Sequence, residues 1–438
     1  MNPHTERLLA APIAPTLLRL SAPGVLLVAF QTMVSVGDTY FVGRLGTAPL
    51  AGLALVFPLI MLLQMTSAGA MGGGVSSAIA RALGAGDAAT ARRLVVHALV
   101  IAAVMAALFS FLLLAFGASI FSLLGGQGES LHHALSYSTV IFSGAISVWL
   151  ANTLSSVLRG SGNMLVPALA LISAAVVHVP LSGFLVWKIG IAGAGYAYVV
   201  TFTLASIAMA CFVFRRASPL RPQRGDFHLK RILFREILRV GGLSVLSSVQ
   251  TVLTTVVLTG FVGRHGTAAL AGYGVGVRLE LLQIPLVFAV GQALVVLVGT
   301  NIGAGHAARA KRIAWSGTAL AAGISLVIGV VAALFPLGWV GLFSADPAVL
   351  DAGSHYLRTV APFYPLLAAG IALYFASQGA GSVLQPLLSG TARLAIVIVG
   401  GVAAASLAGI FWTIAAGMAA YGALTMAAVA RAKWAANP

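Results

Sequence analysis

Long apolar stretches alternate with short polar breaks along the entire chain. A helix that crosses a bilayer needs roughly 20 consecutive apolar residues, and twelve stretches reach that length. The predicted spans are 20–43, 48–80, 94–117, 134–158, 164–187, 191–214, 240–263, 268–300, 314–343, 356–378, 387–407 and 409–430. The pattern therefore predicts an all-α integral membrane protein with twelve transmembrane helices.

Composition agrees with a lipid environment. Of the 438 residues, 60% are hydrophobic and 8% are charged, whereas about a quarter of the residues of a soluble domain are charged. The N-terminal stretch lacks the charged region, short apolar core and cleavage site of a signal peptide, so we expect the first span to be retained. A single cysteine excludes an intramolecular disulfide.

Positive charge collects on one side of the predicted helices. The chain has 25 Lys and Arg against 9 Asp and Glu, a formal net charge of +16. In a soluble protein this excess would suggest nucleic acid, but cytoplasmic loops of membrane proteins collect Lys and Arg. Nineteen cations fall on one side and two within spans, and the four on the other side are Arg44, Lys188, Arg264 and Arg358. We therefore expect both termini to be cytoplasmic, with no nucleic-acid partner.

The chain contains an internal repeat. Residues 41–52, Phe-Val-Gly-Arg-Leu-Gly-Thr-Ala-Pro-Leu-Ala-Gly, recur at 261–272 with ten of twelve positions identical. The Gly-Ala-Gly loop at 84–86 and the Gly-x-Gly turn at 160–162 each return 219 residues later. Three ordered matches at nearly half the chain length indicate a duplicated six-span unit. Because six is even, the copies form two parallel six-helix repeats.

The duplication divides the chain into two lobes. We predict an N-lobe at 1–218, a basic cytoplasmic linker at 219–239 and a C-lobe at 240–438. Transporters built from parallel halves place their site between or within the lobes and expose it alternately to each side. The sequence has no Walker A motif and no soluble nucleotide-binding domain, so we expect an ion gradient to drive transport.

Three motifs give the chain a resemblance to a known family. They are Asp-Thr-Tyr-Phe-Val-Gly-Arg-Leu-Gly at 38–46 with its copy, the repeated Gly-Ala-Gly loop and the repeated Gly-x-Gly turn. With the duplication, they resemble the multidrug and toxic compound extrusion (MATE) family, and Arg278-Leu-Glu280 is more similar to its DinF-like branch than to NorM. The resemblance implies V-shaped N- and C-lobes. It also implies export of organic, often cationic or amphipathic, compounds from the bacterial cell across the inner membrane, in exchange for H⁺ or Na⁺.

Acidic residues within spans are candidates for ion coupling. Of the nine acids, only Asp38 and Glu280 fall there. Burial disfavours a charged carboxylate, so Asp38 can hold a proton from outside and release it inward, and the resemblance implies this role for the acid of the 38–46 motif. A carboxylate that caps a turn is the plain alternative.

Two polar residues of span 5 are predicted near Asp38. Ser182 and Asp38 are equally far from the outer ends of their helices, and His178 lies one turn deeper on the face of Ser182. The DinF-like relatives often have Asn-x-x-x-Asp here, so His-x-x-x-Ser departs from that pattern. Since imidazole titrates near pH 6.5, His178 either shares or relays the proton of Asp38, or packs beside the kink at Pro180.

The C-lobe offers a polar pair. Glu280 and Arg393 are predicted at nearly the same depth, which favours a buried ion pair, with Arg278 as the rival partner. The NorM-like pattern has acids in spans 7 and 10 for cation binding. Here these spans have none, and Gln250 is the nearest polar residue in span 7, so we expect H⁺ coupling in preference to Na⁺.

Five N-lobe residues are further candidates for a substrate cavity. Their amides and rings can contact an organic compound, although bonds between packed helices and positions at the membrane interface are the common alternatives. These residues are Gln31, Gln64, Tyr137, Asn152 and Tyr198. No pair of histidines has metal-ligand spacing beside carboxylates, so we expect neither a metal nor a cofactor.

These features predict a monomeric H⁺-coupled exporter of small organic compounds, surrounded by membrane lipid, and not an enzyme. Two alternatives remain within transport. One is a Na⁺-coupled multidrug antiporter. The other is a lipid or lipid-linked sugar flippase, which should display several intramembrane cations for a diphosphate, whereas only Arg278 and Arg393 lie within spans. A membrane enzyme would need catalytic groups clustered at one interface, and the sequence indicates no such cluster.

Overall fold

The computed structural model describes residues 3–434, with side chains from Thr5 onward. Within this range every regular element is a helix. Eleven helices are long and apolar enough to cross a membrane, and one bent pair makes a twelfth span. The prediction of an all-α protein with twelve spans is confirmed.

The spans are numbered here in chain order. Spans 1 to 6 are Ile13–Gly43, Thr47–Gly84, Ala88–Leu123, the pair Gly128–Ser143 and Ala145–Gly160 bent by 50°, Leu165–Ile189 and Ala192–Phe214. Spans 7 to 12 are Arg231–Gly263, Thr267–Gly303, Ala307–Leu334, Pro347–Gly379, Leu384–Ala403 and Leu407–Arg431. The shorter elements are helices at Pro3–Ala10 and Pro336–Val340 and 3-10 turns at Arg224–Phe227 and Ala361–Phe363.

The chain forms two compact units. The first is Ala22–Gly241, and the second contains the described residues from Gly242 onward together with residues 3–21. The helix Pro3–Ala10 contacts span 8, and the guanidinium of Arg309 donates to the Ala11 carbonyl at 2.5 Å. The N-lobe was expected to begin at residue 1, but this bond and these contacts explain why residues 3–21 group with the second unit. Residues 1, 2 and 435–438, at the two termini, lie outside the described part.

Span 2 changes helix type in its middle. It runs as an α-helix over Thr47–Gln64, as a π-helix over Met65–Met71 and again as an α-helix over Gly72–Gly84. A Cβ at Gly72 would clash with the hydroxyl of Ser156, so glycine allows spans 2 and 4 to approach closely here. Irregular turns of this kind are rare inside helices and often occur at functional sites.

The region between spans 9 and 10 differs from the prediction. Span 9 ends at Leu334, where 343 was expected, because Pro336 has no backbone N–H with which to continue the helix. Span 10 begins at Pro347, where 356 was expected, and the Asp346 carboxylate caps it by accepting from the Ala348 N–H at 2.8 Å. Hydropathy does not detect a proline that ends a helix or a carboxylate that caps one. The boundaries predicted from hydropathy therefore differ from those of the structure.

A buried carboxylate ties the linker to the start of span 3. Asp226 accepts hydrogen bonds from Arg92 Nε at 3.0 Å and from the Gln223 backbone N–H at 2.9 Å, and Arg93 Nε lies 3.5 Å away. Burial opposes the charged form, yet these donors together hold the pKa of Asp226 below its usual range. Because the folded-state pKa is lowered, this contribution is present at neutral pH and is lost as the pH falls through the lowered value.

A buried histidine forms a second attachment. His97 of span 3 accepts a hydrogen bond from the Lys230 backbone N–H through Nε2 at 2.8 Å. Its Nδ1 therefore carries the proton and donates to the Arg93 carbonyl at 2.7 Å. The ring also packs on Phe234, with centroids 4.6 Å apart. These two attachments explain why residues 219–239, expected as a separate linker, group with the first unit.

Replacing Asp226 by asparagine tests the first attachment. We expect Asp226→Asn to increase trypsin cleavage within residues 215–239 at pH 8. It should lower the free energy of unfolding by about 1–3 kcal/mol, because buried donors lose a charged acceptor. Limited proteolysis and thermal unfolding in detergent measure the two effects. Asp351→Asn, at an exposed acid of span 10, is the matched control, and equal cleavage of both variants would contradict the attachment.

Candidate functional site

A carboxylate and an imidazole meet inside the first unit. Asp38 of span 1 and His178 of span 5 are only 7% and 2% exposed. His178 Nε2 lies 3.0 Å from Oδ1 and 3.1 Å from Oδ2 of Asp38. The buried Ser182 hydroxyl donates to Asp38 Oδ1 at 2.5 Å. The structure thus brings together the three residues that the sequence suggested for proton coupling.

Helix geometry explains how span 5 presents both partners. His178 and Ser182 are four residues apart, so their side chains project from one face of the helix. The next residue, Gly183, lies against the ring of Phe41, and a Cβ there would approach that ring to within 2.9 Å. Glycine at this position therefore allows span 5 to lie close to span 1. Pro180 is accommodated within the continuous helix Leu165–Ile189.

A threonine on span 6 completes the shell around the imidazole. Thr201 is buried, and its hydroxyl donates to the Ala197 carbonyl at 2.8 Å. Its oxygen lies 3.4 Å from His178 Nδ1. Since the Thr201 hydrogen points to the backbone, a lone pair faces the ring, and the contact is a weak hydrogen bond only when Nδ1 carries a proton.

These contacts allow two protonation states of the pair. With Nδ1 protonated, the contact between His178 Nε2 and Asp38 holds one further proton. The pair is then either a carboxylic acid beside a neutral imidazole or a carboxylate beside an imidazolium, and both have zero net charge. Without that proton the imidazole has a single N–H, so it can donate to Asp38 or to Thr201 but not to both.

A second polar network lies on spans 2, 4 and 6. Asn152 Nδ2 donates to Gln64 Oε1 and to Ser67 Oγ, each at 2.8 Å, and Gln64 Nε2 donates to the Tyr198 hydroxyl at 2.7 Å. Gln64 immediately precedes the π-helix, and Ser67 lies within it. The Tyr198 ring stands edge-on to the His178 ring, with centroids 6.3 Å apart. Hydrogen bonds and a ring contact through Tyr198 therefore connect the π-helix region to the pair of Asp38 and His178.

The structure separates the five cavity candidates. Gln64, Asn152 and Tyr198 join the second network, and Tyr137 is buried near enough to Asp38 for the two groups to interact electrostatically. Gln31 is exposed on span 1 and joins neither network within residues 3–434.

Sequence reasoning missed Ser67 and Thr201. Ser67 stands three residues after Gln64, on a neighbouring helix face, and that spacing was an available signal. Thr201 follows Tyr198 at the same spacing. Within the described chain, no three His, Cys, Asp or Glu side chains are grouped so that they could hold a metal ion.

The C-lobe pair is arranged differently from the prediction. The ion pairs of the described residues do not include Glu280 with Arg393. Glu280 instead accepts from the Tyr356 hydroxyl at 3.2 Å, although Arg393 is near enough for its charge to act on it. Arg278 lies over the Phe343 ring at 5.4 Å. It does not pair with Glu280, because residues two apart on a helix do not face each other. Glu280 and Arg393 were predicted at nearly the same depth in the membrane, but residues at one depth need not face each other.

The sequence pattern of the family described as MatE matches residues 23–183 and 244–403, one segment from each half of the duplication. The chain belongs to the MatE family. It is therefore a multi-pass membrane transporter, and the resemblance to MATE proteins is confirmed.

Individual MATE relatives and structures agree with this assignment. The chain is 27% identical over 376 residues to a protein of Shewanella oneidensis named FAD transporter, which covers 84% of this chain and 82% of that protein. It is 24% identical over 401 residues to the probable multidrug resistance protein NorM of Thermotoga maritima, covering 88% and 85%.

Two solved structures have folds similar to that of this MATE chain. A MOP superfamily transporter from Pyrococcus furiosus has a TM-score of 0.90 at 24% identity and covers 99% of this chain and 100% of that chain. A MATE structure in the bent conformation has a TM-score of 0.92 at 24% identity, covering 98% and 97%. The chain thus has the two-lobe MATE fold.

Replacing Asn152 tests the second network. We expect Asn152→Ala to lower the free energy of unfolding by about 1–3 kcal/mol, because Gln64 and Ser67 would lose a buried donor. Thermal unfolding of the purified protein in detergent measures the change. Gln31→Ala removes an exposed amide from the same original set of candidates and should change little. Similar losses in the two variants would show that the network adds no stability.

Proposed function

We propose that this protein is an H⁺-coupled antiporter that exports small organic compounds across the bacterial inner membrane, with both termini in the cytoplasm. The observation that carries the proposal is the buried contact between Asp38 and His178, and we propose that this pair holds one exchangeable proton. Membership of a transporter family supports the transport function. The excess of cations on one side supports the orientation.

The proton controls the packing of three helices. When it is present, His178 can donate to Thr201 and remain bonded to Asp38, so spans 1, 5 and 6 are joined. When it leaves, one of these bonds is lost, and a buried polar group must find another partner or water. A change of this kind costs roughly 1–3 kcal/mol, enough to alter the balance between two conformations of a helical bundle.

The charge of the pair of Asp38 and His178 couples proton binding to substrate binding. The protonated pair is neutral, whereas the deprotonated pair has one negative charge in a poorly hydrated place. An organic cation is attracted to the second state and a proton restores the first, so each disfavours binding of the other. Such competition is reciprocal, and it lets an inward proton gradient drive an outward flux of substrate.

The donors around Asp38 favour H⁺ over Na⁺. Hard cations prefer a shell of oxygen ligands, but His178 Nε2 contacts both oxygens of the Asp38 carboxylate, and Oδ1 also accepts from Ser182. A Na⁺ ion would have to displace both bonds. The apolar segments predicted for spans 7 and 10, 240–263 and 356–378, contain no acid, which supports the same choice for the C-lobe.

Substrate choice is proposed from the family and from charge. Organic cations suit the deprotonated pair, and the relative named FAD transporter makes FAD a second test compound. A flippase for lipid diphosphates is less well supported, because Arg278, one of the two cations predicted within the spans from sequence, lies over the Phe343 ring and leaves Arg393 as the other. Arg278-Leu-Glu280 supports placement in the DinF-like branch. We also propose that the protein is a transporter and not an enzyme.

The coupling residue is tested by replacing Asp38 with its neutral isostere. Asp38→Asn should reduce efflux driven by an imposed pH gradient to the level of empty proteoliposomes, because the pair can no longer exchange charge. Counter-transport is measured with a fluorescent organic cation and with FAD. Asp351→Asn is again the control. Undiminished proton-driven efflux would remove the assignment of Asp38, and efflux driven only by Na⁺ would overturn the choice of ion.

The role of the threonine is tested on the pH profile. Thr201→Val keeps the shape of the side chain but removes the acceptor that favours a proton on His178 Nδ1. We expect half-maximal efflux to move to lower pH, because the protonated ring loses an acceptor. Thr203→Val removes an exposed hydroxyl on the same helix and should leave the profile in place. Identical profiles for both variants would show that Thr201 does not influence the proton of the pair, and an unchanged profile in His178→Ala would reduce His178 to a packing residue.

A further inference from the structure

A cavity of about 520 Å³ opens between the linker and the start of span 3. It is lined by four arginines, two other polar residues and two prolines. These residues are Arg92, Arg216, Ser218, Pro219, Arg221, Pro222, Gln223 and Arg224. We call this the arginine pocket. Its volume lies within the range of small-molecule sites, and its lining contains no acid.

The positive charge of the pocket is left uncompensated by nearby acids. Residues 215–239 contain two acids, Asp226 and Glu236. Both are already paired, Asp226 with Arg92 and Arg93 and Glu236 with Arg81.

The three arginines of the pocket that follow span 6, Arg216, Arg221 and Arg224, are exposed. Within the described chain they form no ion pair and no side-chain hydrogen bond. Three guanidinium groups that repel one another and lack an acceptor indicate a site for an anion.

The fourth arginine is held in position. Asp226 binds Arg92 through Nε, and no other hydrogen bond of the described residues engages this guanidinium, so its Nη groups are available to the cavity. The prolines at 219 and 222 restrict the loop opposite. Guanidinium groups donate in a planar fork that matches the oxygens of a phosphate. A phosphate group is therefore the anion that suits this lining best.

Exposed apolar side chains follow the pocket along the chain. Phe227, Leu229 and Ile232 are 61%, 55% and 64% exposed, and Ile232 lies at the start of span 7. Large apolar residues beside a cluster of cations are typical of a surface that meets the boundary of a membrane with anionic headgroups. A soluble anion would leave these side chains in water, whereas a lipid would cover them.

We propose that the arginine pocket binds a phosphate group, and that an anionic phospholipid of the surrounding leaflet supplies it. Free phosphate has the same chemistry and is the alternative source. The ligand would join the segment after span 6, through Arg216, Arg221 and Arg224, to span 3, through Arg92. Lipid of the right charge would thereby stabilise the linker against the first unit. This proposal does not rest on the proton-coupled transport proposed above.

Native mass spectrometry of the purified protein, with phosphatidylglycerol or phosphatidylcholine added, tests the proposal. We expect phosphatidylglycerol to be retained preferentially and to raise the thermal unfolding midpoint. Arg221→Gln/Arg224→Gln should weaken its binding by roughly 10- to 30-fold, as expected for two cations near a charged headgroup. The charge-matched control, Arg312→Gln/Arg431→Gln, changes two exposed cations outside the pocket and should retain the lipid as the wild type does.

The remaining outcomes are decisive. Equal losses in the two double variants would overturn the site, because diffuse charge would then explain the binding. The proposed site would also be overturned if the wild type neither prefers phosphatidylglycerol nor binds inorganic phosphate. A midpoint shift with 10 mM inorganic phosphate alone, abolished in the pocket variant, would support the phosphate site with a soluble source. Unfolding midpoints measured without ligand show whether the variants are folded.

Discussion

A carboxylate surrounded by apolar helices must be neutralised or fully hydrogen-bonded, and this constraint organises the first unit. An unpaired buried charge costs several kcal/mol, so Asp38 requires donors from another helix. His178 and Ser182 supply them from one face of span 5, and Thr201 of span 6 fixes the opposite side of the imidazole. The same bonds that make the burial of Asp38 tolerable also join spans 1, 5 and 6.

The duplicated halves solve similar packing problems with different chemistry. In the first unit, the π-helix of span 2 carries Ser67 and follows Gln64, and both are hydrogen-bonded to Asn152. Span 8 is a continuous α-helix, and Gln283, 219 residues after Gln64, is buried with neither amide atom bonded within the described chain. Its nearby acid, Glu280, contacts a tyrosine in place of a histidine. The repeat preserved the architecture, while the network that could respond to a proton is found in the first unit.

The linker shows the same requirement that buried charged groups be paired. Outside the spans, charged groups remain hydrated, so their attachments are weaker unless they are buried. Asp226 and His97 are buried and hold the linker to span 3, whereas the neighbouring arginines remain exposed around a cavity. A chain with 25 Lys and Arg and only 9 Asp and Glu cannot pair most of its cations internally. Part of this surplus lines the arginine pocket.

The sequence by itself determined the number of spans, the duplication and the isolation of Asp38, because apolar length and intramembrane acids leave few alternatives. It also brought His178 and Ser182 to the depth of Asp38, since helical rise converts residue number into distance. Depth does not give direction around a helix axis. For that reason the sequence did not reveal Thr201 or the π-helix, and it paired Glu280 with Arg393 where the tertiary structure has Tyr356 as the partner. Only the packing of helices decided which polar groups at one depth face one another.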